Sequence, residues 1–156
     1  SQGFKQFLRT LTGGRVTIGA LSLGTAQGGY DAALKYSKER EAFGKKISDF
    51  QAVSFTLSDM ATQIQAAKHL VYHAAWLKDN GYDVIKEAAM AKLFSSEMAM
   101  NVTTQAIQVH GGYGYIKEYN VERFFRDAKI LEIGEGTSEI QRIIISREVL
   151  SSVSNT

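Results

Sequence analysis

Residues 50–71 read FQAVSFTLSDMATQIQAAKHLV, and their spacing decides the fold class. Phe50, Val53, Leu57, Met60, Ile64, Ala67 and Val71 recur at alternating intervals of three and four, which places them on one face of an α-helix. Ser48 or Asp49 is positioned to cap it, and Asn80-Gly81 is a stop signal. Downstream, Val84, Ala88, Ala91, Met98, Val102, Ala106 and Val109 repeat the same period in a third segment that ends at Gly111-Gly112. Upstream, Phe4, Leu8, Leu11, Ile18, Leu21, Thr25, Gly28 and Ala32 mark a long first segment, closed by the charged run 35–40 and the turn Phe43-Gly44. Gly13-Gly14 leaves one helix or two open. Ala20, Gly24 and Gly28 lie four apart and are expected to let another backbone approach closely. An aromatic, glycine-bearing loop at 113–120 precedes a short helix over 121–129. Ser138-x-x-Gln141 reads as a capping box opening a last helix with Ile140, Ile143, Ile144, Val149 and Leu150. Four long amphipathic segments joined by short turns predict an all-α, antiparallel four-helix bundle over 1–150, with a polar, fraying tail at 151–156.

Composition agrees. The 156 residues contain no proline, where average usage would give roughly eight, and its absence favours uninterrupted helices. A net charge of +2 implies no nucleic-acid surface. No cysteine is present, so disulfides and thiol chemistry are excluded. No run approaches the roughly 20 apolar residues of a membrane span. His69 and His73 stand four apart, but no HExxH surrounds them, so they read as a polar helix edge and no metal is expected.

Three glycine-bearing segments remain. Arg40-Glu41-Ala42-Phe43-Gly44, with Gln51 after it, is by itself a helix-end charge beside a turn or a phosphate contact. Gln108-Val109-His110-Gly111-Gly112 is by itself a helix C-cap or a place where a flat ligand approaches backbone. Glu135-Gly136-Thr137-Ser138-Glu139 puts a carboxylate just before a helix start. That is either acidic complementarity to the dipole or a reactive group beside free N–H donors.

Taken together, REAFGKKISDFQ, QVHGGYGY and VERFFRDAKILEIGEGTSEIQR resemble the acyl-CoA dehydrogenase family in order and spacing, over about Phe4 to Leu150. The likeness is to the short-chain, butyryl-CoA type. It implies a C-terminal helical bundle following a helical and a β-domain, with Ser1 a fragment boundary. It also implies FAD as cofactor and Glu135 as the base that removes the substrate's α-proton. Arg15 and Gly136 would contact acyl-CoA, and Thr137, Ser138 and Glu139 would lie next to FAD. Arg40, Phe43 and Gln51 would reach FAD across a subunit interface, and Gln108, Val109, His110, Gly111 and Gly112 would clasp its adenosine-diphosphate part. Arg126-Asp127 would be structural. Implied partners are electron-transfer flavoprotein and further copies in a homotetramer, in the cytoplasm of a bacterium or the matrix of a mitochondrion.

Two positions depart from the family's pattern. Thr12 stands where an acid often precedes the arginine, and Gly134 stands where a tyrosine often precedes the base, so acyl length is not specified. The expected chemistry is α,β-dehydrogenation of a thioester, with desolvation by substrate strengthening the carboxylate as a base. An oxygen-using acyl-CoA oxidase and a non-enzymatic helical interaction domain are the alternatives, and the isolated fragment is expected to be inactive.

Overall fold

A computed structural model describes residues 2–153, with side chains for Gly3 and for 12–151. The elements are α1 (Gln2–Glu39), a hairpin of β1 (Glu41–Ala42) and β2 (Lys45–Lys46), a 3-10 turn (Ile47–Asp49) and α2 (Gln51–Asp79). Then come α3 (Ile85–His110), a second 3-10 turn (Gly111–Tyr115), α4 (Val121–Ile133) and α5 (Ser138–Val153). The all-α expectation is met, with five α-helices among the described residues. The hairpin, too short for any periodic signal, turns on Phe43 at φ 51° and Gly44 at φ 82°, the left-handed pair that a two-residue reversal requires.

Side-chain contacts fix the helix directions. On α1, Gly19 lies against Val71 of α2 and Ala91 of α3, and Gly29 lies against Thr103 and Ala106 of α3. Asn101 of α3 donates to Gln63 of α2. Thus α1 and α3 run the same way and α2 runs against both. Phe124 sits at Gly28 while Glu135 sits at Gly14, so α4 runs opposite to α1. Lys92 meets Gly136 and Glu97 meets Arg142, so α5 follows α3. The α3 helix is central, and the main core is Met60, Ile64, Met98 and Val102 set among buried alanines of α1, α2 and α3.

Several expectations are corrected. Gly13-Gly14 does not break α1. Its buried stripe is Arg15, Val16, Gly19, Ser22, Ala26, Gly29, Ala33 and Ser37, not the face through Ile18, Leu21 and Thr25. Leu21 is 53% exposed. Of the three small residues expected to admit a close neighbour, only Gly28 does, against the Phe124 ring, while Ala20 and Gly24 face outward and the other close approaches are at Gly19 and Gly29. The alanine-rich side of α3 lies too near for leucine, so α1 turns its smallest residues inward. Phe4, Leu8 and Leu11 fall outside the described side chains. Ser48 and Asp49 belong to the 3-10 turn, and α2 starts without a side-chain cap. The short helix reaches Ile133 rather than 129, and α5 continues to Val153, past the boundary expected at 150. Ile140, Ile143, Val149 and Leu150 are exposed.

Candidate active site

Glu135 occupies the link between α4 and α5. Gly134 ends α4 in extended conformation (φ −64°, ψ 151°), Glu135 itself is left-handed at φ 55°, and Gly136 follows at φ 94°. A non-glycine residue held in the left-handed region costs of order 1–3 kcal/mol, and such residues cluster at functional sites. The conformation turns the exposed Glu135 side chain toward α1, where a Cβ on Gly14 would stand 2.7 Å from its Oε2. Arg15, 8% exposed, lies beside it. Its Nη1 donates to Thr12 Oγ1 at 3.4 Å, and its buried Nε has no partner. Burial lowers the Arg15 pKa, and the charge of Glu135 opposes that shift.

Two fully buried side chains hold this link from below. Lys92 Nζ donates to Glu132 O at 3.1 Å and to Gly136 O at 2.8 Å. Gln141 Nε2 donates to the same Gly136 O at 2.8 Å and to Glu135 O at 3.4 Å. Burial lowers the Lys92 pKa, against the opposing charges of Glu132, Glu139 and Glu97. Thr137, not Ser138, caps α5. Thr137 Oγ1 accepts the Ile140 N–H at 3.4 Å, whereas Ser138 Oγ is buried without a partner. Gln141 points at the link instead of completing a capping box. Glu139 is exposed, and a hydrogen bond from its own backbone N–H, then one from Thr137, lower its pKa.

The opposite end of the bundle carries a cleft of about 540 Å³, lined by Tyr36, Arg40, Ile47, Tyr113, Ile116 and the stretch 108–112. This volume is ordinary for a cofactor site. His110 stacks on Tyr36 with ring centroids 4.3 Å apart. Its Nδ1 lies 2.8 Å from Ala106 O, which only accepts, so Nδ1 is the donor. The Arg40 guanidinium sits over the Tyr113 ring, 5.5 Å from its centre. Nothing lies within 4 Å of where a Cβ would stand on Gly111 or Gly112, so backbone there is open to a ligand.

Residues 1–150 match the family model described as "Acyl-CoA dehydrogenase, C-terminal domain". The chain belongs to the acyl-CoA dehydrogenase family. It is 60% identical over 150 residues to a probable acyl-CoA dehydrogenase of Bacillus subtilis, covering 96% of this chain and 40% of that protein. It is 51% identical, with the same coverage, to a subunit of the caffeyl-CoA reductase-Etf complex of Acetobacterium woodii. Among solved structures it superposes on butyryl-CoA dehydrogenase from Megasphaera elsdenii with a TM-score of 0.94 at 48% identity, over 96% of this chain and 39% of that one. This acyl-CoA dehydrogenase chain therefore spans about 40% of the length of the relatives it matches.

Within the acyl-CoA dehydrogenase chain, the residues singled out from the sequence fall into two groups. Glu135, Gly136, Thr137, Ser138, Glu139 and Arg15 meet at one end. Arg40, Gln108, Val109, His110, Gly111 and Gly112 meet in the cleft at the other. Exposed Phe43, its ring 6.3 Å from that of Phe50, and exposed Gln51 at the start of α2 border the cleft end. Gly14 and Tyr36 are 22 residues apart on α1, roughly 33 Å at 1.5 Å per residue. One copy does not bring the two groups together. Arg126 and Asp127 are both exposed. Lys92, Gln141 and Gly14 were not anticipated. The signal for Lys92 was its phase, since 88, 92, 95 and 99 form a helical stripe that is buried throughout. Among the described residues no cluster of three metal-ligating side chains occurs, and no helix is long and apolar enough to cross a membrane.

Proposed function

We propose that this chain is the C-terminal domain of a flavin-dependent acyl-CoA dehydrogenase in which Glu135 abstracts the α-proton of an acyl-CoA thioester. The observation that carries the reading is the conformation of Glu135. It is an exposed carboxylate held left-handed between two glycines, on a link that buried side chains fix at both feet.

The residues of the cleft suit FAD. One guanidinium is available for a diphosphate, a stacked aromatic wall suits a flat ring, and the open backbone at Gly111-Gly112 lets either come close. Arg40, Gln108, Val109, His110, Gly111 and Gly112 would hold the adenosine-diphosphate part, with Phe43 and Gln51 at the border. Thr137, Ser138 and Glu139 would lie near the flavin of the copy to which Glu135 belongs. Because the two groups lie at opposite ends, a complete site takes its base from one copy and its cleft from another, which supports assembly into at least a dimer. When bound, FAD supplies a two-electron acceptor for the β-hydrogen, which leaves as hydride.

This chain's own residues manage the proton. The substrate's thioester lies over the Gly136 backbone with its α-carbon facing Glu135, and Glu135 takes the α-proton as its carboxylate becomes carboxylic acid. The first turn of α5 presents N–H donors toward that region, and Arg15 supplies positive charge beneath it. Closure by the acyl chain excludes water from around the carboxylate. Electrons then pass to a separate carrier. The Acetobacterium relative, which is named as part of a complex with Etf, favours electron-transfer flavoprotein in that role.

In the full-length protein, Glu135→Gln is expected to retain bound FAD yet show no flavin bleaching when butyryl-CoA is added anaerobically. Complete bleaching of that variant would overturn Glu135 as the base.

A further inference from the structure

We infer that Lys92 is a positioning residue for the proton-abstraction step: its single buried ammonium staples both feet of the arch that carries Glu135. The inference rests on Glu135 being the base. The arch is Ile133-Gly134-Glu135, and the carbonyls at its two ends belong to Glu132 and Gly136. Lys92 Nζ bonds both, at 3.1 and 2.8 Å, from a side chain with no solvent exposure.

The Glu132 carbonyl lies in the last turn of α4, where carbonyls have no partner within their own helix. The Gly136 carbonyl lies just past the base, in the link before α5. Gln141 makes the second bond to that same oxygen from α5. A helix end alone could be closed by water or by a tighter last turn. Burying an ammonium is costly unless its hydrogen bonds are made. Here two of its three donors go to the two ends of a three-residue arch. Lys92 is supplied by α3, the central helix, so the base is referenced to the rigid core rather than to a loop. The energetic reason for such a staple lies in the geometry of proton transfer, where a misplacement of about 1 Å costs on the order of a hundredfold in rate.

Its role differs from that of Glu135. Lys92 touches neither substrate nor cofactor and transfers no proton. Lys92→Met keeps the apolar stem and removes all three donors. In the full-length FAD-loaded protein it is expected to slow flavin reduction by butyryl-CoA about a hundredfold. FAD content and the affinity for a non-reacting S-alkyl-CoA thioether are expected to stay within about threefold of wild type, because the arch moves while the binding surfaces remain.

Gln141→Met, which releases one of the two bonds on the Gly136 carbonyl, is expected to slow reduction about tenfold with the same split. It carries the test if Lys92→Met does not yield folded protein. Wild-type reduction rates in these variants, with Glu135→Gln inactive, would refute the staple and leave the base standing. An active Glu135→Gln would remove the base and the staple together. Equal losses in reduction rate and thioether affinity, or failure of both variants to fold with FAD, would reduce Lys92 and Gln141 to general cohesion and overturn the inference.

Discussion

At the residue scale, the place of the proposed base, Glu135, depends on a hydrogen atom. A Cβ on Gly14 would fall 2.7 Å from Glu135 Oε2, so that glycine makes room for the carboxylate. The obstructed atom is the far end of a flexible side chain, and alanine is the better helix former by about 1 kcal/mol. Gly14→Ala is therefore expected to leave the melting temperature of the full-length protein unchanged or raised by a few degrees, while flavin reduction falls at least tenfold. Unchanged reduction kinetics would mean that the carboxylate need not lie against α1. Lys92 yields a second, electrostatic prediction. Burial lowers its pKa below 10.5 in the folded state. In the window between that lowered value and 10.5 the unfolded chain binds more protons, so stability rises with pH there and is flat below it. The melting-temperature advantage of wild type over Lys92→Met is expected to widen as pH climbs from about 7 toward 10. A constant advantage would show that Lys92 is equally basic folded and unfolded. Neither residue was legible beforehand. A glycine pair in a helix reads as a possible break, and a lysine reads as solvent-facing until the phase of its neighbours is followed through Ser95 and Ala99.

At the element scale, the start of α5 separates two readings of one pattern. Ser138-x-x-Gln141 has the spacing of a capping box, yet the hydroxyl that meets a free N–H is that of Thr137. Removing a cap costs about 1 kcal/mol, whereas removing a buried hydroxyl without a partner is near neutral. Thr137→Ala should lower the melting temperature and Ser138→Ala should not; the reverse order would restore the box. Helical content was legible because the period held along α2 and α3. Leu57, Met60, Ile64, Ala67 and Val71 on α2 and Ala88, Ala91, Met98, Val102 and Ala106 on α3 are buried as their spacing requires, whereas the small and polar residues buried beside them on α3, from Ala89 and Lys92 to Thr103, carried no hydrophobic signal. Phase on α1 was not legible. Hydrophobicity favours the side with Ile18 and Leu21, but the distance to α3 favours the side with Gly19, Ser22 and Ala26, and steric fit decides between them. Gly19 makes this testable, since its Cβ would come within 3.2 Å of Val71 and 3.5 Å of the Ala91 backbone. Gly19→Leu is expected to destabilise by about 1–3 kcal/mol through overpacking, read as a lowered melting temperature. Leu21→Lys on the outward side should leave the isolated bundle unaffected, and a large loss there would mean that another surface covers Leu21.

At the scale of the whole molecule, the length of the helices separates Glu135, the proposed base, from the cleft. Lys92 and His110 mark the two ends on α3, 18 residues apart, or roughly 27 Å. Motif order along the chain could not reveal this, because REAFGKK and QVHGGYGY meet in one cleft while EGTSEIQR lies at the other end of the bundle. The order and spacing of the motifs carry the likeness to the family, but not the distance between them in the folded chain. The separation leads to a complementation experiment. Glu135→Gln spoils the base and leaves the cleft intact. Gly112→Val fills the open backbone of the cleft and leaves the base intact. Each full-length variant alone is expected to be inactive. In a mixed assembly, the intact base of the second variant faces the intact cleft of the first, so one complete site forms. Random pairing of equal amounts into two-fold dimers would then recover about a quarter of wild-type activity. If base and cleft of the same copy served one flavin, every site would carry a defect and mixing would recover nothing. Activity regained on co-refolding the two variants thus supports shared sites, and its absence from verified mixed assemblies would require a second domain of the same copy to bridge the length of the bundle.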